Sequence, residues 1–191
     1  MLFDFTTGAS LLALSSFTTA ATFQHKRATL TNTIDTPLYA YGEDADGARV
    51  FYHNGLAYVG DEAPGWTGTS SNITFSADSS SATVPWTISS NSTPPAFNGT
   101  QSMYIVTTSG AFTQVGFVAS NASLPTGGTD TGFTFFGTSV AYVASSGEYE
   151  LQFWANSTNT TGIWALYWNS NGTSVDGAFP ITLKSTAPTV V

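Results

Sequence analysis

Cysteine is absent from the 191 residues, which excludes disulfides, thiolate-bound zinc, iron–sulfur clusters and thiol nucleophiles together. Positive charge is almost absent too. Four Lys and Arg face twelve Asp and Glu, a formal net charge of −8. No basic surface is available to neutralise phosphates, so nucleic acid and anionic membranes are excluded as electrostatic partners. Only 8% of residues are charged at all, yet no apolar run approaches the ~20 residues of a membrane span. Histidine is limited to His25 and His53, too few for a His-rich metal site. No cofactor and no metal are expected. What remains is a chain rich in Ser, Thr, Gly and aromatic residues, the last at 14%.

The N-terminus reads as processed. Leu11-Leu12-Ala13-Leu14 is the apolar centre of a short hydrophobic stretch, followed by small residues around Ala20-Ala21. This is the pattern of a secretory signal peptide over residues 1–20, although its first residues carry Asp4 and no Lys or Arg. Lys26-Arg27 then marks a dibasic site ending a short pro-piece, 21–27. A single domain is expected over 28–191, with Arg49 and Lys184 as its only basic residues. Seven Asn-x-Ser/Thr sequons, at Asn72, Asn91, Asn98, Asn121, Asn156, Asn159 and Asn171, strengthen the secretory reading. Chance would supply about three. Pro94 after Thr93 weakens the Asn91 site, and Asn156 and Asn159 compete for one glycan. Glycans can keep in solution a domain that carries little charge. The C-terminus lacks the spacer and apolar tail of a GPI signal, so no membrane anchor is expected.

Along 28–191, β-branched and aromatic runs alternate with Gly, Asn, Ser and Thr clusters, and no helical period emerges. The fold class expected is all-β: an antiparallel sandwich or jelly roll of about ten to twelve strands. Its clearest element is a hairpin. Asn54-Gly55, between Val50–His53 and Leu56–Val59, can supply the two φ > 0 residues of a type I′ turn, pairing His53 with Leu56 and Phe51 with Tyr58. Further strands are predicted at 72–76, 82–88, 102–108, 112–118, 132–136, 139–144, 149–155, 163–168 and 179–184. Pro85 confines the 82–88 strand to an edge or a bulge. Residues 51–59 echo 135–143, and Phe75, Ala77, Trp86 and Asn91 echo Phe153, Ala155, Trp164 and Asn169. Two related β-units would explain this; so would a narrow residue alphabet in alternating strands.

The catalytic inventory is thin. A Ser-His-Asp triad would have to use His53, and no Gly-x-Ser-x-Gly elbow is present. Glu43, Asp44 and Asp46 near Gly47 suggest a calcium loop but lack its remaining ligand spacing, so a solvated acidic turn is the better reading. Glycoside hydrolysis would need two facing carboxylates. Asp61 and Glu62 point apart if extended, while Glu148 and Glu150 share a strand face about 7 Å apart, as exposed residues do by default. No catalytic residue is assigned, and the protein is expected not to be an enzyme.

The aromatics are more informative. In 149–155, Tyr149, Leu151, Phe153 and Ala155 alternate as a core set against Glu150, Gln152 and Trp154. Pairing Ala155 with Ile163 would set Trp154 beside Trp164 and Glu150 opposite Trp168. The result would be an outward tryptophan shelf with polar flanks, suited to stacking on sugar rings. A one-residue slip would instead send Trp164 and Trp168 into the core.

Gln101-Ser102-Met103-Tyr104-Ile105, the turn Ser109-Gly110-Ala111-Phe112-Thr113, and then Leu124-Pro125 and Gly132-Phe133 carry a further likeness. This stretch, about 98–155, resembles the fungal phialide-type (conidial) cell-wall glycoproteins. The resemblance implies a non-enzymatic, secreted fungal glycoprotein, a structural or surface component of the cell wall with wall polysaccharide as a partner. The alternative is a carbohydrate-binding module or secreted effector using Trp154, Trp164, Trp168, Glu150 and Gln152. A glycoside hydrolase is the third reading.

Overall fold

The computed structural model describes residues 33–60 and 65–189. The expected signal peptide, the pro-piece and the Asp61–Glu62 pair lie outside the described residues. Every element described is a β-strand, and every strand pairing is antiparallel.

The Asn-Gly hairpin forms as its turn chemistry requires. β3 (Ala48–His53) and β4 (Leu56–Val59) pair His53 with Leu56, Tyr52 with Ala57 and Phe51 with Tyr58. Asn54 has φ 48° and Gly55 φ 84°, the two positive angles of a I′ turn. Around this hairpin a barrel closes. β5 (Ser70–Asp78) pairs with β3, and β6 (Thr87–Ser90) pairs with β5. β7 (Gln101–Val106) follows on β6, and β9 (Gly116–Ala119) lies on β7. β9 then meets β4 at Leu56 and Gly116, completing six strands. Alternation in β5 aims Ile73, Phe75 and Ala77 inward, where they join Val50, Tyr52, Ala57, Ile88, Met103, Ile105 and Phe117 in the core.

Outer strands extend this barrel on two sides. β1 (Thr33–Thr36) adds to β5, and β10 (Gly128–Thr129) to β7. β2 (Tyr39–Tyr41) pairs with the start of β3 and with β17 (Thr182–Lys184). β17 meets β12 (Ser139–Val143), which pairs with β11 (Phe133–Phe136) and β13 (Tyr149–Glu150). On the other side β15 (Trp164–Asn169) lies along β4 and then along β8 (Phe112–Gln114), with β14 (Phe153–Ser157) and β16 (Ala178–Pro180) beyond it.

Among the described residues, seventeen strands replace the ten to twelve expected, partly because three long runs are each broken where the chain changes partners. Val115 divides 112–119: its N–H donates to Leu166 and its carbonyl accepts from Ala57. Ile181 divides 178–184 and donates to Phe153. Leu151 and Gln152 divide 149–157, so the alternation of β13 does not continue into β14. Tyr149 and Leu151, expected in the core, are 55% and 42% exposed, whereas Phe153 and Ala155 are buried. Residues 82–86, expected to open a strand, form a turn ahead of β6, since Pro85 has no N–H to give a ladder. The two echoing segments are both two-residue hairpins, but the second turns at Gly137–Thr138, one position earlier than the matched letters. The matched residues therefore occupy different pairing positions, and the echo does not repeat a register.

Candidate functional site

The tryptophan shelf does not form. Ala155 pairs with Leu166, not Ile163, and Trp154 faces Tyr167. The register differs from the expected one by an odd number of residues, which exchanges the faces of the sheet. Trp168 turns inward and is fully buried, its ring 5.0 Å from Phe153 and 5.7 Å from Tyr142. Trp154 stays on the outer face but is 7% exposed, edge-on to Phe112, whose own ring stacks on Tyr167 at 4.5 Å. Trp164 is half-buried at the strand end beside Phe179. It borders a shallow cavity of about 440 Å³ with Asp44, Ser157, Thr158 and Thr160. Gln152, with its amide nitrogen turned toward the backbone, donates to the carbonyls of Asn169 at 2.6 Å and Ser170 at 3.3 Å, so it braces a turn.

Two of the five expected binding residues do meet. Glu150 and Trp168 line a polar recess of about 210 Å³ together with Thr107, Tyr142, Ser145 and Ser170. Tyr142 and Glu150 are direct cross-strand partners on β12 and β13. Burial raises the Glu150 carboxyl above the usual carboxylate range, and the negative charge of Glu148 adds to the rise. The Trp168 Nε1 is buried without a hydrogen-bond partner. Thr107, Tyr142, Ser145 and Ser170 escape any reading by spacing. They come from three separate parts of the chain, and only the topology joins them.

His53 resembles half of a catalytic dyad, because its Nδ1 lies 2.6 Å from the Ser70 hydroxyl. The hydrogen-bond network assigns it another role. Asn54 Oδ1 accepts from the Thr69 N–H at 2.8 Å, which orients its amide so that Nδ2 donates to His53 Nε2 at 3.2 Å. With Nε2 accepting, the ring proton sits on Nδ1 and is donated to Ser70. The imidazole therefore cannot take the Ser70 proton as a general base. Trp66 packs edge-on against both His53 and Tyr58 at 5.1 Å and donates to Thr160, closing an aromatic cluster outside the barrel. Burial lowers the His53 pKa. Its folded value thus lies below the unfolded ~6.5, so its stabilising contribution is complete above that pH and is lost as pH falls through the folded value. Melting temperature should decline from pH 7 to pH 5 by up to a few degrees, and His53→Gln should remove that part of the slope. An unchanged slope in the variant would exclude His53 as its source.

The acidic candidates do not assemble. Asp44 borders the Trp164 cavity while Asp46 lines a different one beside Tyr41 and Lys184. Among the described residues, no group of three or more Asp, Glu or His side chains is placed to hold a metal ion. Glu148 is exposed on the turn before β13. Five sequon asparagines, Asn91, Asn98, Asn121, Asn159 and Asn171, are exposed, and Asn72 and Asn156 are half-buried within β5 and β14. Asn171 accepts from the Gly110 N–H through Oδ1, and Asn91 accepts from Thr74 in the same way, so neither contact uses the amide nitrogen a glycan requires. The Asn72 Oδ1 is buried. No family model matches the chain, and neither a curated protein nor a solved structure does.

Proposed function

We propose that the protein is a secreted fungal glycoprotein, a non-enzymatic structural or surface component of the cell wall. The observation that carries this reading is the exposure of five of the seven sequon asparagines on a domain with so little charge. Glycans at these positions would supply the hydration that charged side chains supply elsewhere. The likeness to phialide-type wall glycoproteins over residues 98–155 supports the same reading. For the finer architecture we propose a sandwich of jelly-roll type whose strands pass between layers at Val115, Leu151–Gln152 and Ile181, as bent strands do at sandwich corners.

Expression of the full chain in a filamentous fungus, followed by fractionation of medium, wall and cytosol, tests the proposal. The protein should leave the cell, run as a glycosylated species, and sharpen to a lighter band after endoglycosidase treatment. Peptide mass spectrometry should find glycan on exposed asparagines such as Asn121 and Asn171 and none on Asn72. Retention in the cytosol without glycan would overturn it.

A further inference from the structure

We propose that the recess bounded by Thr107, Tyr142, Ser145, Glu150, Trp168 and Ser170 is a binding site for one neutral sugar residue. Its polar groups are unspent. Among the described residues, the Tyr142 hydroxyl, Thr107 Oγ1, Ser145 Oγ and the Glu150 carboxyl make no hydrogen bond. Ser170 gives its hydroxyl proton to backbone carbonyls, which leaves its oxygen free to accept. Trp168 adds a buried N–H with no partner. Buried donors are paired in nearly all folded proteins, so this unpaired N–H, just behind the recess wall, is a sensitive reporter of what the recess holds.

Charge narrows the class. Arg49 donates to the Ile73 carbonyl and Lys184 lies over the Tyr41 ring, so neither basic side chain among the described residues serves the recess. An anion would meet Glu150, with Glu148 close enough to repel it, and no counter-charge. The Glu150 carboxylate offers two acceptor oxygens side by side. Adjacent sugar hydroxyls can donate to that pair. Tyr142, half-buried and backed edge-to-face by Trp168 at 5.7 Å, contributes aromatic surface for the C–H face of a ring. A volume of about 210 Å³ holds a single sugar residue. The residue could be free sugar or the end of a glycan on this protein, since the Asn171 sequon adjoins Ser170. Sugar binding here does not require that the chain reside in a wall, so failure of one leaves the other standing.

The five tryptophans give five indole N–H resonances in a ¹⁵N correlation spectrum, and Trp168 reports directly on the recess. The full chain, endoglycosidase-treated, is titrated separately with glucose, mannose, galactose and N-acetylglucosamine, and with glucuronate as the anionic control. At least one neutral sugar should shift the Trp168 resonance saturably. Trp86, whose Nε1 is also unpartnered but which packs against Phe133 and Phe135, should stay in place. If the Trp168 resonance is already displaced before deglycosylation and returns afterwards, the occupant is the protein's own glycan. Ser145→Phe and Thr107→Phe, which plug the recess from its rim, should each weaken binding about tenfold or more. The proposal is overturned by a Trp168 resonance that no sugar and no deglycosylation moves. Unchanged affinity in both plugged variants with native spectra, or tighter binding of glucuronate than of glucose, overturns it equally.

Discussion

Trp168→Ala should cost about 3–5 kcal/mol of folding stability, measured from the midpoint of urea unfolding. Domains of this kind are stable by roughly 5–15 kcal/mol, so this one truncation removes a large share. The reason is position. Trp168 pairs with Phe153 on one side and Thr113 on the other, joining β14 and β8 through β15. Its ring fills the space between Phe153 and Tyr142, and no solvent reaches it. Alanine would leave a cavity whose walls are strands held in register by ladder bonds, and such walls collapse poorly. Trp168→Phe separates volume from polarity. It keeps most of the ring contact and discards an N–H that has no partner in the fold, so it loses no hydrogen bond. Its cost should stay below about 1.5 kcal/mol. A Phe variant as unstable as the Ala variant would mean that the indole N–H is engaged in solution.

The same strand shows what the sequence could and could not reveal. Local chemistry was readable: Asn54-Gly55 admits few backbone geometries, and a two-residue turn leaves no freedom in the β3–β4 register. Longer connections carry no such constraint. Between β14 and β15 the loop runs from Thr158 to Ile163, closed by the Thr158 hydroxyl on the Ile163 carbonyl at 2.7 Å. Nothing in the spacing of Trp154, Trp164 and Trp168 forecasts that closure, and loop length decides which face each ring takes. Alternation also misled at Tyr149 and Leu151, because a run that changes partners between β13 and β14 restarts its phase. The recess lay further out of reach. Its lining spans positions 107 to 170, and residues that meet only through strand topology leave no linear motif.

Gly132→Ala should destabilise the fold by about 3 kcal/mol and disturb the recess at the same time. Two independent effects combine. At φ +96° the backbone lies where L-residues are strained, at a cost of about 1–3 kcal/mol. A Cβ would also sit 2.4 Å from Tyr142 Cε2 and 2.8 Å from Cδ2, well inside contact distance. The backbone cannot turn away, because Gly132 donates to Ala82 at 2.6 Å and accepts from Val143 at 2.8 Å. Tyr142 must therefore move, yet its ring is set against Phe133 and Trp168. Gly99→Ala is the matched control: its φ is +71°, and nothing lies within 4 Å of the added methyl. That variant should show backbone strain alone, about 1 kcal/mol. The excess for Gly132→Ala, read from paired urea melts, measures how firmly Tyr142 is held. A firmly held Tyr142 also requires the Trp168 indole resonance to shift in Gly132→Ala and stay fixed in Gly99→Ala. Equal costs and an unmoved resonance would show that the tyrosine yields freely, leaving the recess without a rigid wall.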